Sequence, residues 1–178
     1  MYLGKQRKLN RWPGFDYSSP GLYFVTICTS GRQELFGQIM NDQMLLNETG
    51  QIANKFWLEI PKHFVNCELN EFVVMPNHIH GILFIYYKNE DEHRKIVGNA
   101  YMRSLRNTKM LLSQIIQLYK AAVTREINKN FDFHFCWQKS FYDRVLRNEK
   151  EFKIRREYIA NNPINWHKDR NNPINIKK

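Results

Sequence analysis

The sequence predicts an α+β fold of the ferredoxin-like, split βαβ kind: a four-stranded antiparallel sheet with two helices on one face, plus a C-terminal helix. Three observations predict it. Four β-rich apolar runs, LYFVTICT (22–29), ELNEFVVM (68–75), HIHGILFIYY (78–87) and one within FHFCWQKSFYDRVL (133–146), are interleaved with two helical patterns in the order β-α-β-β-α-β. A third helical pattern follows the last run. The chain of 178 residues, 43% apolar and 14% aromatic, has no repeat or low-complexity segment, so one domain with a real core is expected.

Each element has a local reason. The first strand follows the turn-like YSSPG, and FGQIMNDQMLLN reads as a small hairpin turning at Asn41-Asp42. In NETGQIANKFWLEIPKHF, Ile52, Phe56, Trp57 and Ile60 have the spacing of an amphipathic helix, ending near Pro61. The next two strands are joined by Pro76-Asn77, and the histidine-bearing one is expected at the centre of the sheet. KNEDEHRKIVGNAYMRSLRN (88–107) is polar, poorly patterned and read as a loop. From Thr108 to Asn128, Leu112, Ile115, Ile116, Tyr119, Ala122, Val123 and Ile127 form one apolar helix face, with Lys109, Lys120 and Arg125 elsewhere. NEKEFKIRREYIANN begins the third helix, with Asn148 as N-cap, Glu149 in the first turn and Pro163 as the stop. The asparagine-rich tail is expected to be loosely ordered. The single domain thus spans 1–178, with a flexible basic N-terminus (about 1–20) and a basic tail (about 167–178).

Charge narrows the partner. Lys and Arg total 27 against 17 Asp and Glu, a formal net charge of +10, which favours a polyanion through counterion release. Basic residues cluster in KQRKLNR (5–11) and HKDRNNPINIKK (167–178), beside Trp12 and Trp166, a pairing suited to a nucleic-acid strand whose bases can stack. No apolar run has transmembrane length and the N-terminus lacks an apolar h-region, so a cytosolic protein with no membrane partner is expected. Cys28, Cys67 and Cys136 are odd in number and form no C-x-x-C pair, which argues against disulfides and a cysteine-zinc site.

The stretch VVMPNHIHGILFI carries the candidate chemistry. Residues i and i+2 of a strand share a face, so His78 and His80 project from one side of the sheet and could hold a metal ion. Taken alone, the pair is a weak signal and reads first as satisfied core or surface imidazoles. Tyr158 and Asn162, at i and i+4, lie one turn apart on a helix, so one helix could present a phenol and an amide oxygen to the same spot. Taken alone, they read as a half-buried aromatic flanked by Ile154 and Ile159, and as a cap before Pro163.

The segments DYSSPGLYFVTICTSGRQELFG, LNETGQIA, ELNEFVVMPNHIHGILF, SQIIQLYKAAVTREIN, WQKSFYDRVLRNEKEF and REYIANNPINW, in that order over about the first 166 residues, resemble the REP-associated branch of the single-tyrosine HUH transposases, the insertion sequence 200/605 type. The resemblance implies an enzyme that cleaves and rejoins single-stranded, hairpin-associated DNA through a covalent 5′-phosphotyrosine. It implies Tyr158 as nucleophile, and His78, His80 and Asn162 as ligands of Mg2+ or Mn2+. It also implies a cytoplasmic, nucleoid-associated protein. Many relatives are homodimers whose tyrosine helix serves the partner's histidines, whereas the REP-associated branch works as monomers, and the sequence leaves both states open. Arg155 and Arg156 are candidates for positive charge near the phenol, and Glu71, Asp143 and Gln138 for groups behind the ligands.

Two rival readings stay open. One is a non-catalytic, single-stranded nucleic-acid-binding module of the same fold, although the aromatic-rich glycine signature of RNA-binding versions is missing. The other is an HUH replication initiator or relaxase. No P-loop and no H-x-E with P-C-x-x-C is present, which removes nucleotide-driven enzymes and nucleobase deaminases.

Overall fold

The computed structural model describes residues 20–86 and 111–175. The basic N-terminal cluster with Trp12, the expected loop 88–107, residues 108–110 and the last two lysines lie outside the described residues.

The elements run β1 (Gly21–Cys28), β2 (Gly37–Met40), β3 (Gln43–Leu46), α1 (Glu48–Leu58), α2 (Ile60–His63), β4 (Cys67–Met75), β5 (His78–Ile85), α3 (Leu111–Asn130), β6 (Tyr142–Leu146) and α4 (Glu149–Ala160). The main sheet has the order β4-β5-β1-β6 with every neighbouring pair antiparallel, and β2 and β3 form a separate hairpin. This is the expected split βαβ topology. Strand β5 is central, and all of its residues except Phe84 are buried, as a strand covered on both faces requires.

Local chemistry accounts for the termini. Asn41 and Asp42 have φ of 50° and 61°, the left-handed pair that lets a two-residue hairpin follow the strand twist. Asn47 caps α1 by accepting from the Gly50 N–H, and Asn148 caps α4 by accepting from the Glu151 N–H at 2.9 Å. Pro61 was expected to end the first helix. Instead α1 ends at Leu58 and Pro61 lies in the first turn of α2, where a missing N–H costs nothing.

The two sheet faces do different work. Tyr23, Val25 and Ile27 of β1 and Ile79, Leu83 and Ile85 of β5 join Trp57 of α1 and Leu112, Ile115, Tyr119 and Val123 of α3 in the main core. Tyr119 ties the helices together by donating its hydroxyl to the Ala53 carbonyl at 3.0 Å. On the opposite face Phe24, Ile82 and Leu146 pack with Ile159, Phe152 and Tyr158 of α4. Both histidines lie on this second face. Gly81, directly after His80, faces the main core, where a Cβ would come within 2.2 Å of Trp57. A Gly81→Val protein is therefore expected to lose about 1–3 kcal/mol, read as a lower thermal midpoint. An unchanged midpoint would mean the Trp57 contact is not tight.

The tail departs from expectation. Residues 166–168 and 173–175 form 3-10 turns, and Asp169 and Asn171 are buried. The asparagines that suggested looseness are what order it. Asn165 donates to the Asn161 carbonyl, Asn172 to that of Trp166, and Asn175 to those of His167 and Asp169, so side-chain amides replace ladder partners turn after turn.

Candidate metal centre

Three elements meet on the second face: the start of β5, the last turn of α4, and the tail. Strand pairing sets His78 opposite Cys28 and His80 opposite Thr26, so both imidazoles lie over β1 with ring centroids 4.4 Å apart. Helix α4 brings Tyr158 across His80, the phenol oxygen 3.2 Å from His80 Nε2. The turn after Pro163 then returns the chain so that Asp169 faces the same spot. The Tyr158 hydroxyl donates to Asp169 Oδ2 at 3.1 Å, the Asn162 amide donates to the same oxygen at 3.1 Å, and the Asn171 N–H donates to Oδ1 at 2.6 Å.

Ring orientation follows from the partners. Asn77 donates its amide hydrogens to the carbonyls of Arg32 and Asn171, at 3.0 and 2.8 Å. Its oxygen must therefore accept, and His78 Nδ1, 2.8 Å away, carries the proton. His78 Nε2 is left with a lone pair, buried and without a hydrogen-bond partner. Thr26 Oγ1 holds His80 Nδ1 at 2.8 Å. Burial depresses both imidazole pKa values, His78 to about 4, and for His80 the neighbouring His78 adds to it. Both rings are neutral at neutral pH, the form a metal needs.

The sign of the linkage gives a prediction for the ion-free protein. Above pH 6.5 both the folded and the unfolded imidazoles are neutral, and the stability is complete. As pH falls from 6.5 toward about 4 the unfolded chain binds protons that the folded chain refuses, so stability declines in that window. Urea midpoints measured in chelator should fall between pH 6.5 and 5, and fall less in a His78→Gln/His80→Gln protein. Equal slopes would show that other groups govern the decline.

Ligand atoms of His78, His80 and Asp169 all lie within 4.8 Å of one another, and this buried group could hold a metal ion. A buried polar atom left unpaired costs about 1–3 kcal/mol. His78 Nε2 and Asn162 Oδ1 are both such atoms at this one place, an arrangement that a bound cation would relieve. Two imidazoles with carboxylate and amide oxygens form a mixed nitrogen and oxygen donor set fitting a divalent ion.

All four residues singled out from sequence converge here within one chain. Asn162 reaches the others through Asp169. Asp169 itself was missed, although it is the lone acidic residue after Glu157 in an otherwise basic end, a signal that spacing could not use. Arg155 lies 5.1 Å over the Phe24 ring and 5.8 Å from the Tyr158 ring, whereas Arg156 pairs with Glu71 at 3.5 Å. Glu71 is thereby engaged outside the cluster, Asp143 sits across from Val25 on the other face, and Gln138 contributes its N–H to the Cys28 carbonyl. Trp166, expected as a stacking surface, lies against the His78 ring at 5.9 Å. Among the described residues no helix is long and apolar enough to cross a membrane.

No protein-family model matches the chain. It is similar to an uncharacterized protein of Haemophilus influenzae, 36% identical over 164 residues, covering 92% of this chain and 91% of that one. Among solved structures it is similar to a REP-associated tyrosine transposase bound to a REP hairpin, with a TM-score of 0.58 and 18% identity over 88% of this chain and 73% of that one. A crystal structure of a candidate transposase from Deinococcus radiodurans gives a TM-score of 0.48 and 16% identity, covering 85% of this chain and 97% of that one. Shared residues over nearly the whole length of both proteins place the chain in one family with the Haemophilus influenzae protein, and its fold is of the REP-associated tyrosine transposase type.

Proposed function

We propose that the protein cleaves and rejoins single-stranded DNA through Tyr158, with Mn2+ or Mg2+ held by His78, His80 and Asp169 and with Asn162 at the same ion. The observation that carries this reading is the position of the phenol, hydrogen-bonded to Asp169 Oδ2 and 3.2 Å from His80 Nε2. A nucleophile beside an ion's ligands can attack a phosphate that the ion orients.

In this reading Asp169 accepts the phenol proton and the tyrosyl oxygen bonds to phosphorus. The bond from phosphorus to the 3′ oxygen breaks, and that oxygen takes the proton back from Asp169 to become a free 3′-hydroxyl. The phosphodiester is conserved as a 5′-phosphotyrosine, so rejoining needs no nucleotide hydrolysis. When bound, the ion draws charge from the phosphate oxygens and aligns the group for in-line attack. The imidazole pair favours manganese over magnesium, which prefers an all-oxygen shell. Positive charge and the fold shared with a protein that binds a REP hairpin support a DNA hairpin as substrate. In this reading the tyrosine serves the histidines of its own chain, since His78, His80, Tyr158 and Asp169 lie together within one chain.

The test is incubation of end-labelled single-stranded hairpin DNA with the protein and Mn2+, followed by a denaturing gel. A slow-migrating covalent adduct is expected, absent in chelator. Cleavage that yields a free 5′-phosphate and no adduct would assign the attack to water.

A further inference from the structure

Beside Tyr158 a cavity of about 510 Å³ opens to solvent, with the last turns of α4 on one side and the returning tail on the other. Residues 158 and 162 form the helix row that faces the ligand cluster. The adjacent row is Glu157 and Asn161, again four apart, and it faces the cavity. On the tail side the cavity is lined by Asn165, Lys168, Asp169 and Arg170, the Asp169 carboxylate already accepting from Tyr158, Asn162 and Asn171.

The groups other than Asp169 are uncommitted. Lys153, one turn before Glu157, pairs instead with Glu149 at 2.7 Å, so the Glu157 carboxylate has no ion-pair partner among the described residues. Asn165 uses its amide hydrogens on the Asn161 carbonyl, which leaves its oxygen open. Arg170 rests over the Tyr142 ring, 5.4 Å from its centroid, with its guanidinium free of carboxylates among the described residues.

The uncommitted charge is divided across the space: the Lys168 and Arg170 cations on the tail side, where the Asp169 carboxylate is taken up by its own donors, and the Glu157 carboxylate on the helix side. A bare phosphate would be repelled by the carboxylate, and an apolar ligand would strand every lining polar group. A nucleotide satisfies both sides. Its phosphate meets Lys168 and Arg170, and its base edge meets Glu157 and Asn161. We infer that this cavity is a nucleotide subsite adjoining the scissile phosphate, and that Glu157 selects an unpaired base carrying an exocyclic amino group. A carboxylate can only accept hydrogen bonds, so it favours the amino edge of cytosine or adenine over the carbonyl-flanked edge of thymine.

The inference rests on the proposed strand-cleaving function, but its test does not use cleavage. Binding of fluorescent single-stranded homopolymers of deoxycytidine, deoxyadenosine and thymidine to the full chain is measured by anisotropy in chelator. The amino-bearing strands should bind about tenfold tighter than oligothymidine. Glu157→Gln, whose amide can also donate, should erase that ratio. Lys168→Gln should weaken all three strands alike and lower the salt slope by about one. Equal affinities for the three strands, or a ratio that survives Glu157→Gln, overturns the subsite and leaves the covalent reading intact. A covalent adduct that fails to form while the base ratio is kept would instead sink the cleavage reading alone.

Discussion

A Tyr158→Phe protein is expected to lose covalent adduct formation with single-stranded DNA by at least about four orders of magnitude, the scale on which removal of a nucleophile acts. The phenol is a poor nucleophile as it stands. Burial, and then the charge and hydrogen bond of Asp169, push its pKa up to about 12. At pH 8 only about one ion-free molecule in ten thousand would carry a phenolate. A cation among His78, His80 and Asp169 offsets the carboxylate's charge and reverses the second of these causes, so phenol reactivity and ion binding are coupled. The Phe variant should keep its fold, because the ring contacts to Phe24 and His80 survive and only the hydroxyl's two hydrogen-bond contacts, to Asp169 and His80, about 1 kcal/mol each, are lost. Its Mn2+ affinity and strand affinity should stay within a few-fold of the parent, measured by calorimetry and anisotropy. Residual adduct on another tyrosine would remove Tyr158 from the nucleophile's role.

The sheet was legible because its period is simple. Alternation in LYFVTICT separated Tyr23, Val25 and Ile27 from Phe24 and Thr26, and the i, i+2 rule set His78 and His80 on one face. The Asn-Asp turn and the Asn148 cap were legible for the same reason, each being local chemistry that needs no knowledge of the rest of the chain. What escaped was the part that depends on return of the chain. Asp169 is seven residues past Asn162 and meets it only because the turn after Pro163 folds back, a turn held by asparagine amides whose composition resembles that of a disordered end. Sequence spacing could bring Tyr158 and Asn162 together. It could not bring a carboxylate in from the tail, and so the ligand set read from sequence held an amide where the structure adds an acid.

That difference can be decided by experiment. Asp169→Asn retains the side chain's shape and removes its charge. If the carboxylate is a ligand, Mn2+ affinity should fall at least about a hundredfold, more than the ten- to hundredfold typical of groups behind the ligands. Asn162→Ala removes an oxygen that has no partner in the ion-free protein and should weaken Mn2+ about tenfold or more if that oxygen coordinates. The stability readouts separate the two roles. Asp169 accepts from Tyr158, Asn162 and Asn171, so Asp169→Ala strands three donors, each worth about 1–3 kcal/mol when buried and unpaired. The tail should then detach from β5, visible as faster amide exchange over residues 164–175, whereas Asp169→Asn keeps one acceptor oxygen and should slow that loss. Weak Mn2+ binding in Asp169→Asn with the tail still protected would assign the carboxylate to the ion directly. Affinity that survives Asp169→Asn but not Asn162→Ala would return the site to the two imidazoles and the amide, and leave Asp169 with the phenol proton and the tail alone.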